Sequence, residues 1–429
     1  MLKNIGKFSI SLFLLFSCSY FEDEKEIELP GKRQNVFDVE ERTILKANKK
    51  IKLDLPKNIK SWPQQHQNLR NHLFHLESSN SITFKKRIEL GDITFGKFNH
   101  IVEPVIKSEV IFFVTDDFFL NAMDSKNEKI LWSTRLKEEK EESLSFVGGL
   151  ALSDSNIIVT TGLGNIYSVN LRNGNVLWKK KFIGQFSRPP SIKKNKILTV
   201  SDDNQLLCLE LNSGDILWTH TGSIEEVSII GGSKPAIGDG IIVVSYSSGE
   251  IFALKDNNGE IMWFDDINSG NFFNRNIIND IQSPVTILDK KAYVSTFSDN
   301  FIVYNLTNGK KLWNLKFSSL NPFVISGDVI YTIDISGRLL CLEKDGGRLV
   351  WAVQLQQIND GEEVIWRGPL LSSNKLILVS STGSVISLSP FTGHVLSKLK
   401  YSEEFVLSPI QVEKEIFLTT SDGDLIIFK

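Results

Sequence analysis

The sequence predicts an all-β protein, an eight-bladed β-propeller of four-stranded antiparallel blades whose ring is closed by a strand from near the N-terminus. Three observations predict it. A short segment ending in tryptophan recurs: LRNGNVLW at Trp178, LNSGDILW at Trp218, DNNGEIMW at Trp263, LTNGKKLW at Trp313, KDGGRLVW at Trp351, and the glycine-free SKNEKILW at Trp132. Successive tryptophans are 46, 40, 45, 50 and 38 residues apart, and Ser397 of FTGHVLS holds the next slot, 46 further on. A fixed period in the forties marks a radial array with one blade per repeat. Between the tryptophans, short apolar strands alternate with Asn, Asp and Gly clusters, and helical periodicity is nearly absent. Finally, proline-led openings recur at Pro104, Pro190, Pro235, Pro284, Pro322, Pro369 and Pro409, and Gly149 begins one more.

In chain order, the first element is a leader. Residues 1–17 carry two lysines and then the apolar run ISLFLLF, too short for a membrane span and laid out as a secretory signal peptide. Leu15-Phe16-Ser17-Cys18 resembles a bacterial lipobox, which implies cleavage before Cys18 and a lipid anchor on it. Ser19 in the following position resembles the outer-membrane sorting choice of such lipoproteins, so the expected location is the outer membrane, facing the periplasm. Several acyl chains together hold a protein on a bilayer far better than one. Residues 18–60 are rich in Glu, Lys and Asp and poor in aromatics, and are expected to be a flexible tether. Residues 61–429 are expected to form the propeller. His66, His72, His75 and His100 fit no zinc spacing and read as surface residues.

Residues 234–263, KPAIGDGIIVVSYSSGEIFALKDNNGEIMW, show the repeat in full. A proline suits the first position of a strand, where no ladder hydrogen bond is lost. IIVVSY and EIFALK are strands, and the clusters around Gly240, Gly249 and Gly259 are reversals, since Asn, Asp and Gly tolerate positive φ. One blade cannot bury both of its faces alone, so each tryptophan is expected to close a seam between blades. At 150–250 Å² per indole this contributes roughly 4–6 kcal/mol gross. The last unit stops at Lys429 after its third strand. ITFKKRIEL, residues 82–90, lacks a hairpin partner of its own and carries Phe84 where a tryptophan could stand, so it is expected to supply the missing outer strand of blade eight.

The composition excludes several functions. The 429 residues are 41% hydrophobic and 23% charged, with a formal charge of −3 that gives no reason to expect nucleic acid. Cys208 and Cys341 both lie ten residues before a tryptophan, in a slot held elsewhere by Ala122, Ser168, Ala253 and Ser387. They read as small buried residues of equivalent strands, not as a disulfide. KDNNGE (255–260) and TSDGDL (420–425) lack the full ligand run of a calcium loop and fall on repeat turns. Gly162-Leu163-Gly164 lacks the third glycine and the helix of a dinucleotide site. With no nucleophile elbow, P-loop, CxxC or HExxH, the chain is not expected to be an enzyme or to act on a small-molecule substrate.

The A-L-D-like strand followed by G-x-x-x-W resembles the PQQ-like β-propeller repeat over residues 100–429. One branch of that family, the quinoprotein dehydrogenases, binds pyrroloquinoline quinone and calcium in the channel; those enzymes are usually longer and carry an adjacent-cysteine disulfide, both lacking here. A PQQ-dependent or PQQ-binding propeller is therefore the alternative reading. The other branch is the BamB family, cofactor-free eight-bladed lipoproteins of the outer-membrane β-barrel assembly (BAM) machinery. LPGKRQNVF (29–37), SWPQQHQNLRNH (61–72), TFKKRIELG (83–91), VSIIGGSKPAI (227–237), NDIQSPV (279–285) and IWRGPLL (365–371) are similar to segments of that family, in its alphaproteobacterial form. The resemblance implies a scaffold without cofactor that grips BamA through a POTRA domain and assists nascent outer-membrane proteins. By family position, Val227, Ile229 and Ile230 stand where apolar and basic contacts occur, and Asp280 and Gln282 where acidic ones occur. Ile230 replaces an arginine and Gln282 an acid, which weakens the electrostatic part of that contact. An envelope lipoprotein with a different partner shares every one of these features.

Overall fold

The computed structural model describes residues 43–46, 49–79, 83–96, 100–137, 145–223, 230–267, 283–296 and 299–429. Among these residues every regular element is a strand apart from single-turn features. Eight four- or five-stranded antiparallel sheets form the blades in chain order, with two separate two-stranded ladders, Thr94–Phe95 with His100–Ile101 and Ile358–Asn359 with Glu362–Glu363. Blade four has strands Ala236–Gly238, Ile241–Ser245, Glu250–Lys255 and Ile261–Asp266, paired as a meander. The same order builds blade one (105–135), two (147–181), three (191–221), five (286–315), six (324–354) and seven (366–400). Blade eight takes Ile410–Val412, Glu415–Thr419 and Asp424–Phe428 from the C-terminal region. Its outer strand is Phe84–Glu89, antiparallel to Asp424–Phe428, so the ring closes as the unpaired segment required.

Burial falls from axis to rim. Asn156–Thr161, second in its blade, is buried at every position, whereas the outer strand Val176–Lys181 alternates between exposed and half-buried. Middle strands are sandwiched between neighbouring blades on both faces. They therefore carry continuous β-branched runs, for the reason that doubly covered strands do in other folds.

The tryptophan–glycine repeat works between blades. Each indole lies on the glycine of the following blade's turn: Trp132 on Gly174, Trp178 on Gly214, Trp218 on Gly259, Trp263 on Gly309, Trp313 on Gly347 and Trp351 on Gly393. Those glycines have φ between +70° and +74°, and a Cβ added to them would stand 2.5–3.0 Å from the ring. Glycine is thus required twice, for its backbone and for the absent side chain. Four indole nitrogens also donate across the seam, Trp263 Nε1 to Leu306 O at 2.8 Å being the shortest. Only Trp263 and Trp351 are buried, at 8% and 1% exposure, so the full burial energy expected of each indole applies to these two.

Two exceptions to the repeat meet in space. In register, Ile427 faces Lys86, as Ala122 faces Trp132, so Lys86 and not Phe84 stands in the tryptophan slot. Phe84 lies on the exposed side, edge-on to Phe428. The Lys86 ammonium donates to Ser125 O and to Glu128 Oε1 at 2.9 Å. Glu128, at φ 56°, occupies the turn position that glycine holds in the other blades. With no indole to accommodate, a side chain fits there, and an ion pair replaces the ring-on-glycine contact. Ser397 faces a blade whose third and outer strands come from distant parts of the chain, with no short turn between them. Its hydroxyl instead bonds Ser387 Oγ at 2.6 Å.

The expected tether differs over its described part. Thr43–Lys46 adds a fifth strand to the edge of blade six, against Leu349–Gln354. That outer strand, LVWAVQ, has no charged residue, and Val350, Trp351, Ala352 and Val353 are all buried. An uncharged edge is the one most in need of a cover. Residues 49–79 then form a collar around the axis, on the face of the turns between first and second strands. Gly327 N bonds Asp54 Oδ2 at 2.9 Å in blade six, and Glu413 N bonds Ile59 O at 2.6 Å in blade eight. Ser61–Trp62 pairs with blade one, and Leu152 N of blade two bonds Pro63 O at 2.7 Å. Ile237 of blade four bonds Leu69 O at 2.6 Å and Ile287 of blade five bonds Arg70 O at 2.9 Å. His72 Nε2 meets Ile325 O of blade six at 2.9 Å, Leu76 N bonds Leu371 O of blade seven at 2.9 Å, and Gln411 Nε2 of blade eight bonds Glu77 O at 2.7 Å. Two of the four histidines expected at the surface are therefore inside, His72 and His75 at 7% and 3% exposure, and His66 and His100 are half-buried.

Candidate binding face and axial cavity

On the axis, opposite the collar's outer side, the segments leading into the first strands enclose a cavity of about 350 Å³. Its polar lining comes from Gln65 of the collar, His100 and Glu103 before blade one, Ser187 before blade three, Arg367 and Ser381 of blade seven, and Glu404 before blade eight. Four charged groups at the axis lie one or two residues before a proline. Glu103 precedes Pro104, Arg188 precedes Pro189, Lys234 precedes Pro235, and Arg367 stands two before Pro369. In blades one and four the proline directly precedes the innermost strand, and in blade seven Arg367 and Pro369 both lie within it, so these charges stand where the blades converge. A charge one or two residues before a proline is the signal in the sequence that marks these residues.

Burial dominates the electrostatics. It raises the Glu103 carboxyl to about 7, against the opposing Trp62 Nε1 donor at 2.7 Å and the Lys234 charge. It lowers the Lys234 ammonium to about 7, although Glu103 opposes the shift, and Nζ donates to Asn68 O at 2.9 Å. Arg188, 3% exposed, donates from Nη1 to Ser245 O at 2.8 Å. Burial also lowers Arg367, and among the described residues no charged neighbour contributes to that shift. Cys208 and Cys341 are free and buried, each facing its tryptophan across the strand pair, and burial raises the Cys208 thiol to about 11. A thiol so raised is a packing group, not a nucleophile. Among the described residues no three His, Cys, Asp or Glu side chains are placed to hold a metal ion, and no helix is long and apolar enough to cross a membrane.

Of the residues expected to contact a partner, Ile230 is described. It is 41% exposed at the cavity mouth, in the connection between blades three and four, beside Gly231 and Gly232 at φ 101° and 119°. Val227, Ile229, Asp280 and Gln282 lie outside the described residues, as does Cys18.

The profile of the family described as outer membrane protein assembly factor BamB matches residues 116–353 and 337–429. The chain is 22% identical over 345 residues to the outer membrane protein assembly factor BamB of Yersinia pestis, covering 78% of this chain and 85% of that one. To the protein of the same name from Escherichia coli K12 it is 22% identical over 334 residues, covering 76% and 84%. Among solved structures, BamB from Moraxella catarrhalis superposes with a TM-score of 0.64 at 15% identity, covering 81% of this chain and 98% of that one. Quinohemoprotein alcohol dehydrogenase from Comamonas testosteroni gives 0.68 at 12% identity, covering 86% and 80%, a likeness of fold alone. Joined to an eight-bladed ring closed by its own N-terminal strand, the profile match over most of the chain places this protein in the BamB family of outer-membrane protein assembly factors.

Proposed function

We propose that this chain is a non-enzymatic scaffold of the BAM complex, held at the periplasmic face of the outer membrane by lipid on Cys18 after removal of residues 1–17. In this reading it binds a POTRA domain of BamA and assists nascent outer-membrane proteins. The contact uses the connections between blades three and four and between blades four and five, with Val227, Ile229 and Ile230 as apolar anchors and Asp280 and Gln282 as polar ones. The observation that carries it is Ile230, an isoleucine left 41% exposed on one of those connections in a member of the BamB family. A large apolar side chain on an exposed loop of a rigid scaffold is a natural anchor for a partner.

The test is capture of purified BamA POTRA domains by the mature chain. Ile230→Asp, and separately Ile229→Glu with Asp280→Lys, are expected to weaken capture at least tenfold, the loss of one central apolar anchor. Their melting temperatures are expected to match the parent's. Unchanged capture by both variants refutes the site, and no capture by the parent refutes the partner.

A further inference from the structure

The axial cavity holds a charge that nothing among the described residues answers. A guanidinium carries five N–H donors and no acceptor. Lys234 and Arg188 each reach a carbonyl, at 2.9 and 2.8 Å, but Arg367 has no hydrogen bond or ion pair among the described residues, and its Nε is shut off from solvent. On the same lining, Gln65 Oε1 and His100 Nε2 are also buried without partners among the described residues. Each unmet buried polar group costs about 1–3 kcal/mol, and native proteins rarely gather several around one space. Water can serve the amide and the imidazole. It cannot neutralise a guanidinium, whose planar fork matches a carboxylate or phosphate through two parallel bonds.

The remaining lining chooses between those anions. Glu103 and Glu404 also border the cavity and disfavour a doubly charged phosphate, while Ile101, Ile365, Phe405 and Leu407 offer apolar surface. We infer that the cavity binds a monocarboxylate with an apolar body, its carboxylate on Arg367 and its body against Phe405 and Ile365. A small organic acid and the free C-terminus of a peptide ending in an apolar residue both present this chemistry. The site is separate from the Ile230 contact in its chemistry, so either can fail without the other.

Calorimetric titration of the mature chain with 4-phenylbutyrate, acetyl-Leu-Phe and acetyl-Leu-Phe-amide tests it. Saturable heat is expected from at least one acid, and which acid binds more tightly identifies the source. The amide is expected to bind at least tenfold more weakly, and Arg367→Gln to lower the acid's affinity ten- to a hundredfold. Ile365 is 49% exposed, so Ile365→Glu leaves the fold intact while setting a competing carboxylate at the rim, and it is expected to weaken binding similarly. That variant decides the matter where Arg367→Gln does not fold. An absence of heat from both acids, equal binding of the amide, or wild-type affinity in whichever of the two variants folds would show that the cavity holds water only.

Discussion

The ring's seams make a quantitative prediction through Gly259→Ala. Gly259 sits at φ +74° with an added Cβ 2.5 Å from Trp218 Cε3. Forcing an L-residue into the left-handed region costs about 1–2 kcal/mol. Pressing a methyl into a packed indole adds about 1–3 kcal/mol, as overpacking does in cores. Gly240→Ala is the control, because Gly240 has φ +78° and nothing within 4 Å of its added Cβ. It bears the backbone cost alone. Urea midpoints at a common m-value are expected to place Gly259→Ala about 1–3 kcal/mol below Gly240→Ala. In a Trp218→Leu background the extra loss is expected to shrink, giving a coupling above about 0.5 kcal/mol for residues in direct contact. Equal destabilisation by the two glycine variants, or additivity with Trp218→Leu, would refute the view that these glycines exist to seat the preceding blade's indole.

Two further outcomes follow from the exceptional seam and from the collar. Lys86→Trp alone is expected to destabilise by about 1–3 kcal/mol, since the ring meets the Glu128 side chain, and Glu128→Gly in the same chain is expected to restore most of that loss; a midpoint comparison of the three variants reads it. Burial, and secondarily the Lys234 charge, holds the His66 imidazole at about 3. Because its folded value lies below the ordinary 6.5, the unfolded chain takes up the proton first, and stability falls as pH drops from about 6.5 toward 3. His66→Asn, which keeps a residue tolerant of the observed φ of 55°, is expected to lose about 2 kcal/mol less than wild type between pH 7 and 5. An identical pH profile for the two proteins would mean that His66 titrates as freely in the fold as outside it.

Strands and turns were legible because their causes are local. A β-branched run bounded by Asn, Asp and Gly is a strand whatever surrounds it, and a fixed period makes each copy confirm the next. Even the small residue facing each tryptophan, Cys208 and Cys341 included, could be placed by counting. The closing strand was found because it had no partner of its own, and its core, Phe84–Glu89, falls inside residues 82–90. Its register was misjudged: aromaticity pointed to Phe84, and only pairing with Ile427 shows that Lys86 occupies the slot.

The collar, the covered edge of blade six and the axial charges belong to a different kind of information. Asp54 meets Gly327, Ile59 meets Glu413 and Leu76 meets Leu371, contacts made once, between segments hundreds of residues apart, with no period to announce them. Composition marked residues 18–60 as too polar to order themselves, which is a statement about a segment in isolation. Part of that segment is ordered because a finished ring presents backbone groups and an uncharged edge that a polar chain can pair with. Local residue patterns fix the repeating unit, its number and the piece that completes the last copy. Tertiary structure alone decided what the centre of the ring contains, because convergence of eight chain segments on one axis creates burial, and hence unmet charge, that no single segment encodes.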